Sequence, residues 1–218
     1  MFKVKCTLVG FMNDVEKFPC HFDYEIGESF TYDGSTIEGR ICPGVLLTMV
    51  PTVWQTFFMG NRAHERILFK YSGLSAKAPS MKKYDGIGFR PLKEAPEDAG
   101  GKSGIVTVPE IPTELKSKHG FACADCRTSA YFLVETVDLA SGGYTVPYYK
   151  REISILEKVK ESPGMTVDDI LKKYTDWERL EVYPPLNPIN VQLMLEELAE
   201  VGYVELRDGK AYPGPRSE

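Results

Sequence analysis

The amino-acid sequence predicts an α+β fold, and three patterns support that prediction. Residues 3–11 alternate between apolar and polar side chains, as a half-buried strand does. A dense apolar run over 43–59 indicates a helix, and residues 148–213 combine helical apolar spacing with a hairpin signal. We expect three consecutive parts: a small α+β domain over 1–93, a linker and cysteine-bearing strand segment over 94–147, and a helical domain over 148–218.

Composition and charge exclude several classes of protein. Hydrophobic residues make up 43% of the 218 residues, which is enough to bury a core and argues against general disorder. The formal net charge of −5 argues against a generally basic nucleic-acid-binding protein. No apolar run reaches the roughly 18 residues of a membrane span, and the residues from Met1 to Cys6 lack the apolar core of a signal peptide. We therefore expect a cytoplasmic protein without a membrane partner.

Short strands bounded by turn residues make up much of the first 147 residues. Residues 22–32 predict two strands around a turn at Gly27, and Asp33-Gly34 closes the second of them. Further strands are expected over 67–71, 86–91, 105–108 and 130–137, and residues 94–104, rich in proline, glycine and charge, predict the linker.

The apolar run over Pro43–Met59 predicts the one long helix of the N-terminal domain. Its apolar side chains fall on all sides, so we expect a buried helix, with a kink at Pro51 and an end at Gly60. Pro43 fits the first helical position, which places the Cys42 thiol at the helix N-terminus. The partial positive charge there favours a thiolate, which suits a metal ligand or a nucleophile.

Four features of the first sixty residues carry a family resemblance. Cys20 is followed by the Gly-acid pair Gly27-Glu28, then by Cys42-Pro43 at the start of the hydrophobic helix, and finally by Gly60 at its end. This order is similar to the signature of a small, uncharacterised bacterial domain family that is common in anaerobes. The resemblance implies a domain boundary near residue 93 and two marked cysteines, and it brings no established activity with it.

A C-x-x-C motif, Cys123-Ala-Asp-Cys126, is the clearest chemical signal of the middle part. Two thiolates at this spacing can face one metal ion, because the two residues between them let the chain turn around it. Cys20 and Cys42 would complete a four-thiolate zinc site or hold an iron–sulfur cluster. We therefore predict one metal site formed by Cys20, Cys42, Cys123 and Cys126.

Other interpretations of these cysteines stay open at this level. The C-x-x-C pair can act as a redox dithiol, although a strand rather than the helix of a thioredoxin-like motif follows it. His21 and His119 lie beside the same segments and are substitute metal ligands. Cys42 can act as a nucleophile if His21 or His64 serves as its base, and the cysteines can also be buried or idle. Cys6 lies inside the first strand, where we expect a buried apolar side chain.

Capping signals mark the first two helices of the C-terminal domain. Residues 149–161 carry apolar side chains at helical spacing, and Pro163-Gly164 ends that helix. Thr166, followed three residues later by Asp169, predicts a capping box at the start of a second helix.

A third helix and a hairpin complete the C-terminal domain. Asn187-Pro188 is an N-cap with proline in the first helical position, and Gly202 ends the helix that it opens. Asp208-Gly209 lies between two short alternating runs, which predicts a hairpin. Three helices followed by a hairpin resemble a winged-helix domain, and the ending LEELAEVGYVELRDGKAYP is similar to the third helix and wing of that family.

The charge of this C-terminal part argues against DNA binding. Residues 148–218 hold 10 basic and 14 acidic residues, a net charge of −4. The helix over 188–201, which would enter the major groove, has no Lys or Arg and carries Glu196, Glu197 and Glu200. This face would repel the phosphates that supply nonspecific DNA affinity. We therefore expect the domain to contact a protein partner or to form a homo-oligomer.

Three classes of function follow from these observations. The first is an accessory or subunit-type protein that binds zinc or an iron–sulfur cluster and associates through its winged-helix module. The second is a transcription regulator that senses a ligand or a redox state. The third is an enzyme that uses Cys42 or the metal on a substrate that the sequence does not indicate.

Overall fold

The structure is a computed structural model, and it describes residues 1–60, 120–125 and 127–217 of the chain. Helices and antiparallel strands occur together in these residues, which confirms the predicted α+β class. Some predictions fall outside the described residues: the strands over 67–71, 86–91 and 105–108, the linker over 94–104, and the side chains of His64, His119 and Cys126.

One sheet contains five strands. They are β1 (Phe2–Phe11), β2 (Ser29–Tyr32), β3 (Ile37–Glu38), β4 (Gly120–Ala122) and β5 (Ala130–Leu139). Their order is β3-β2-β1-β5-β4, and β2 pairs with β3, and β4 with β5, in antiparallel register. Every second residue of β1 from Phe2 to Leu8 is buried, so the alternation predicted this strand correctly.

Only the second of the two strands predicted over 22–32 forms. Asp23 has a φ of 51°, which lies in the left-handed region and interrupts an extended run. The Glu25 N–H donates to the Glu28 carboxylate at 2.7 Å, and Gly27 has a φ of 97°. The prediction of a first strand was therefore wrong, because local turn chemistry outweighs the alternation of apolar side chains here.

Helix α1 (Pro43–Met59) begins and ends at the predicted residues and runs through Pro51. Gly60 follows it with a φ of 69° and donates its N–H to the Thr56 carbonyl. The expectation of a helix buried on all sides was wrong, because one face is buried and large apolar side chains on the other face are exposed. Among the described residues, no helix combines the length and the hydropathy that crossing a bilayer requires.

A short 3-10 helix (Gly143–Thr145), four α-helices and a hairpin form after β5 in the described residues. The helices are α2 (Val146–Glu161), α3 (Val167–Leu171), α4 (Asp176–Leu180) and α5 (Pro188–Glu200), and the hairpin strands are β6 (Val204–Arg207) and β7 (Lys210–Pro213). The short helix α4, which has its own capping box, is an addition to the three helices that the sequence predicts.

The predicted caps and turn of this region are confirmed. Thr166 and Asp169 form the capping box of α3. The Asn187 side chain accepts the Asn190 N–H at 2.9 Å at the start of α5. Asp208 and Gly209 join the hairpin strands with φ values of 52° and 72°, the left-handed pair that a tight hairpin turn requires. The winged-helix resemblance itself stays a prediction.

The chain forms two compact units, and each draws on separated stretches of sequence. Unit 1 holds the described residues of Met1–Cys6, Ser29–Arg40 and Glu135–Glu218, and unit 2 holds those of Thr7–Glu28 and Ile41–Val134. The predicted boundaries at residues 93 and 147 stay predictions, since residue 93 lies outside the described ranges and β1 and β5 each contribute to both units.

A hydrophobic core within unit 1 joins three helices to the hairpin. Helix α2 contributes Ile155 and Val159, α3 contributes Ile170, and α5 contributes Val191, Met194, Leu195 and Leu198. Val204 and Ala211 of the hairpin pack into the same cluster. The helical apolar spacing in the sequence therefore marks the buried faces of these helices.

Two adjacent charged residues of α2 are also buried in unit 1. Arg151 donates to the Pro184 carbonyl at 3.1 Å and also to the carbonyls of Glu178 and Val182. Burial raises the pKa of Glu152 to about 9, and the neighbouring Glu197 carboxylate acts in the same direction. Arg151 thus joins α2 to the chain around α4, and Glu152 is a carboxyl that favours its neutral form.

Candidate functional site

A cavity of about 300 Å³ within unit 2 brings together three of the four predicted metal ligands. Cys20 comes from the loop that follows β1, Cys42 immediately precedes α1, and Cys123 immediately follows β4. Aromatic and charged side chains complete the lining. Cysteines from three distant segments of the sequence therefore line one space.

Cys42 is the N-cap residue of α1, and its side chain makes no capping hydrogen bond. Its carbonyl accepts the N–H groups of Val45 and Leu46 at 3.0 and 2.9 Å, which starts the helix. Its own N–H donates to the Tyr24 hydroxyl at 2.9 Å. The backbone of Cys42 is thus held on both sides, and the residue lines the cavity.

The turn after β4 positions Cys123. The Cys123 N–H donates to the Ala130 carbonyl at 2.8 Å, and the Ser129 N–H donates to the Asp125 carbonyl at 2.8 Å. The Ala124 N–H donates to the Gly44 carbonyl at 3.1 Å, which ties this turn to the first turn of α1. Burial raises the pKa of the Cys123 thiol, and the nearby Asp125 and Cys20 act in the same direction, against backbone hydrogen bonds that lower it.

Thr128 ties the segment that carries Cys20 to the same turn. Its hydroxyl donates to the Phe18 carbonyl at 3.0 Å. The Asp23 N–H donates to the Cys20 carbonyl at 3.1 Å, which closes the backbone around Cys20. The His21 imidazole contacts the Arg127 guanidinium through Nε2. Hydrogen bonds between side chains and backbone therefore bring the three thiol-bearing segments together.

An acidic and a basic side chain lie at the cavity beside the thiols. The Asp125 carboxylate accepts the Arg127 N–H at 3.0 Å and lies 3.6 Å from the Arg127 Nε. The pKa of Asp125 is lowered, first by that backbone hydrogen bond and also by the Arg127 charge and by His21, against the opposing effect of burial. Asp125 is therefore ionised at neutral pH, and Arg127 supplies a positive charge at the cavity.

Aromatic rings form one side of the cavity and connect it to the sheet. Phe22 and Tyr24 line the cavity with ring centroids 4.7 Å apart. The Tyr24 ring meets Phe132 of β5 edge to face at 5.4 Å, and Phe132 stacks on Phe121 of β4 at 5.5 Å. The loop from 20 to 24 is therefore anchored by aromatic packing as well as by hydrogen bonds.

Thiol donors suit a soft metal ion, but the described residues alone do not form a complete set of metal ligands. Thiolates are the ligands that zinc and iron–sulfur clusters take in proteins. Within residues 1–60, 120–125 and 127–217, no three His, Cys, Asp or Glu side chains form a group that could hold a metal ion. The fourth predicted ligand, Cys126, lies outside these residues, so the four-cysteine site stays a prediction.

The fifth cysteine, Cys6, is buried in β1, as the sequence predicts. Burial raises the pKa of its thiol well above the usual range. It is not among the residues that line the cavity. Cys6 therefore acts as a small apolar side chain of the core and serves as an internal control for the other cysteines.

Sequence reasoning missed several residues that build this cavity. Tyr24, which holds the Cys42 N–H, gave no signal because an aromatic residue in a predicted strand is ordinarily part of a core. Asp125 could have been recognised from the sequence, because an Asp side chain often accepts the backbone N–H two residues later and forms an Asx turn. The Arg127 N–H makes this hydrogen bond in the structure. Reading C-x-D-C-R-T as such a turn would have drawn attention to Arg127 and Thr128.

Comparisons with protein-family models, with curated proteins and with solved structures found no match to this chain. Both family resemblances drawn from the sequence therefore stay predictions.

Proposed function

We propose that the protein binds zinc or an iron–sulfur cluster through Cys20, Cys42, Cys123 and Cys126 and acts as an accessory or subunit-type protein. The observation that carries this proposal is the shared cavity: three of these cysteines, from three separate segments, line one space of about 300 Å³. Cys126 follows Cys123 at the spacing that lets two thiolates bind one metal.

The surroundings of the thiols support a metal rather than an accidental cluster of cysteines. A metal ion with four thiolates carries net negative charge, and Arg127 lies at the same cavity with opposite charge. Cys42 contributes nothing to capping its helix through its side chain. Metal binding would join three loops to one centre, so part of its free energy would add to the stability of unit 2.

The first experiment measures the metal directly. The chain is purified anaerobically with zinc and iron supplied, and metal, acid-labile sulfide and visible absorbance are determined. We expect either about one zinc ion per chain or iron with sulfide in a cluster. Replacing Cys20, Cys42, Cys123 or Cys126 by Ser one at a time should remove most of the metal and lower Tm by about 5–15 °C, as loss of a tightly bound ligand does.

The matched control is Cys6→Ala. This cysteine is buried in β1 and does not line the cavity, so the variant should keep the metal content of the wild type even if it is less stable. A wild-type protein that holds neither metal under these conditions would contradict the proposal. Full metal content in the Cys123→Ser variant would contradict it as well.

The second part of the proposal concerns unit 1, whose C-terminal region we assign to protein association. Helix α5 contains no Lys or Arg, and its exposed side chains include Ile189 and Leu193. Trp177 and Leu180 of α4 are exposed as well. Exposed apolar and acidic side chains of this kind suit a protein partner better than phosphates.

A gel-shift assay at low salt tests this assignment against DNA binding. We expect no shift of a random duplex at about 1 μM protein, where a nonspecific DNA-binding protein already binds when the salt concentration is low. Salt-sensitive retention of the duplex would contradict the assignment and would favour a transcription regulator instead.

A further inference from the structure

Unit 1 contains a cavity of its own, about 340 Å³ in volume, beside the first half of α2. Lys150, Arg151 and Ser154 line it. Ser154 follows the two basic residues by four and three positions, so all three lie on one face of the helix. Val182 and Tyr183, which follow α4, line the same cavity. Neither the metal site nor the association surface accounts for two basic residues at one cavity.

The Arg151 guanidinium is a buried positive charge that is held by carbonyl groups. Arg151 is 6% exposed. Its Nε donates to the Pro184 carbonyl at 3.1 Å, and its Nη2 donates to the carbonyls of Glu178 and Val182. Within the described residues its Nη1 makes no hydrogen bond, and the guanidinium forms no ion pair. A guanidinium stays charged when it is buried, so an anion at Nη1 would complete a charge balance that the carbonyl groups supply only in part.

Glu178 is the acid whose charge acts on Arg151, and its carboxylate is engaged elsewhere. That carboxylate accepts the N–H and the hydroxyl of Thr175 at 2.7 and 2.8 Å, in the capping box of α4. The part of the chain that the structure describes therefore supplies no carboxylate that pairs directly with Arg151.

Two further sources of positive potential lie at the same cavity. Lys150 is exposed, and its ammonium group forms no ion pair with any described residue. The first turn of α2, which includes the lining residue Val146, has no acidic side chain. The N-cap residue Thr145 makes no capping hydrogen bond, since its hydroxyl donates to the Ala140 and Gly142 carbonyls. The positive end of the helix dipole is therefore left without an anion from its own first turn.

Ser154 adds a hydrogen-bond donor, and its neighbours add apolar surface. The Ser154 Oγ lies 2.9 Å from the Tyr174 hydroxyl, and either atom can be the donor. When Tyr174 donates, the proton of the Ser154 hydroxyl is left for a ligand. Val182 and Tyr183 bring aliphatic and aromatic groups to the lining. The cavity therefore offers donors for an anionic group and apolar surface for an organic one.

Charge and size select the class of ligand. Two cations and a hydroxyl match the double charge and the several acceptor oxygens of a phosphate monoester better than the single charge of a carboxylate. The cavity is larger than a phosphate ion needs, and its size lies at the lower end of the range for small-molecule sites. Residues 148–218 carry a net charge of −4. The surrounding surface therefore repels a long polyanion, whereas a small anion meets the local positive potential.

We propose that this cavity of unit 1 binds a small organic phosphate, a monoester that is held by Arg151, Lys150 and Ser154. Its phosphoryl oxygens accept from the Arg151 Nη1, the Lys150 ammonium and the Ser154 hydroxyl, and its organic group lies against Val182 and Tyr183. The proposal concerns unit 1 alone and is independent of the metal site.

Titration of the ¹⁵N-labelled full chain, followed by NMR, measures affinity and location together. The probes are phenyl phosphate, inorganic phosphate and benzoate. Phenyl phosphate should bind with a Kd below about 1 mM, and inorganic phosphate at least about 5-fold more weakly, because it lacks the organic group. Benzoate should bind at least about 10-fold more weakly than phenyl phosphate, because it carries one charge instead of two. Raising NaCl from about 50 to about 500 mM should weaken phosphate binding at least about 5-fold.

The Nε–H signal of Arg151 reports on the buried cation without a substitution. Arg151 joins α2 to the chain around α4, so replacing it would test folding as well as binding. Its Nε–H signal should shift with phenyl phosphate together with the backbone signals of Lys150 and Ser154. No saturable shift of these signals by either phosphate at about 10 mM would overturn the proposal. Benzoate that binds as tightly as phenyl phosphate would overturn it as well, in favour of a carboxylate site.

Lys150→Met and Lys173→Met form a matched pair. Both lysines are exposed residues of unit 1, and Lys173 does not line the cavity. Lys150→Met should weaken phenyl phosphate binding at least about 10-fold, and Lys150→Arg should restore it to within about 3-fold of the wild type. Lys173→Met, which removes the same charge, should bind as the wild type does. An equal loss in the two Met variants, or no loss in Lys150→Met, would overturn the proposal.

Discussion

Two helices of this protein begin with the same local pattern, a residue in the N-cap position followed by proline, and the two cap side chains do different things. At α5 the Asn187 side chain accepts the Asn190 N–H, which completes the first turn. At α1 the Cys42 side chain makes no cap hydrogen bond, and Cys42 lines a cavity with two other cysteines. Helix formation accounts for the choice of asparagine, and it does not account for the choice of cysteine. The comparison therefore directs the search for function to the N-terminus of α1.

The two helices also differ in how much of their apolar surface is buried. The buried residues of α5, including Leu195 and Leu198, lie in the core of unit 1. Helix α1 buries one apolar face and exposes the other, and Leu47 is its most exposed large apolar side chain. Apolar content alone thus does not distinguish a helix whose apolar surface is covered within its own unit from one that keeps part of it exposed.

The largest effect that sharpens this comparison comes from a matched pair of leucines. Leu198→Ala should lower the free energy of unfolding by about 2–5 kcal/mol, because it leaves a cavity in a packed core. Leu47→Ala should change it by less than about 0.5 kcal/mol, because the removed atoms were already in water. Urea unfolding followed by circular dichroism measures both changes.

Equal losses for the two variants would contradict the comparison, since Leu47 would then be covered in the folded chain. Leu47 is 75% exposed, so this pair of variants tests the exposure of the outer face of α1 directly.

The parts of the fold that the sequence predicts correctly are those set by residues close together in the chain. The capping box at Thr166, the N-cap at Asn187 and the Asp208-Gly209 turn each depend on residues within three or four positions, and all three are confirmed. The first strand predicted over 22–32 failed for a local reason too, because Asp23 takes up a left-handed conformation. Short-range backbone chemistry is therefore readable where the turn residues are recognised.

The cavity depends on contacts that no local pattern carries. Cys20, Cys42 and Cys123 share it because Thr128 binds the Phe18 carbonyl and Ala124 binds the Gly44 carbonyl. These hydrogen bonds join segments that are far apart in sequence, so spacing cannot predict them. The sequence could nominate thiols as candidate ligands from their chemistry alone, and it could not indicate the aromatic and charged residues around them.

The second-largest expected effect concerns the pH dependence of stability, and it contrasts two carboxyl groups, one in each unit. Burial holds the pKa of Glu152 at about 9, above its ordinary 4.5, so the folded state binds an extra proton between these values. This extra proton stabilises the folded state. The stabilisation is fully present at acid pH, and the free energy of unfolding falls by up to about 1.4 kcal/mol per pH unit as the pH rises. Glu152→Gln should remove this slope from the free energy of unfolding measured from pH 5 to 9.

Asp125→Asn is the control for that measurement. The pKa of Asp125 is lowered by the Arg127 N–H, so the group stays ionised in both folded and unfolded states above pH 5. The contribution of the ionised Asp125 to stability is lost only as the pH falls below about 5. The free energy of unfolding of Asp125→Asn should therefore change with pH between 5 and 9 as that of the wild type does. A wild-type slope retained in Glu152→Gln would show that other groups govern the pH dependence.

The smallest effect tests the two caps directly. Asn187→Ala should lower the free energy of unfolding by about 1 kcal/mol, because it removes the acceptor of the Asn190 N–H. Cys42→Ala, measured on protein stripped of metal by a chelator, should change it by less than about 0.5 kcal/mol, since the thiol makes no cap hydrogen bond. With metal restored, the same Cys42→Ala variant should fall well below the wild type, because only the wild type then gains the free energy of the metal. A Cys42→Ala loss that is the same with and without metal would mean that this side chain acts in packing, and the difference between the two helix N-termini would then carry no information about a metal site.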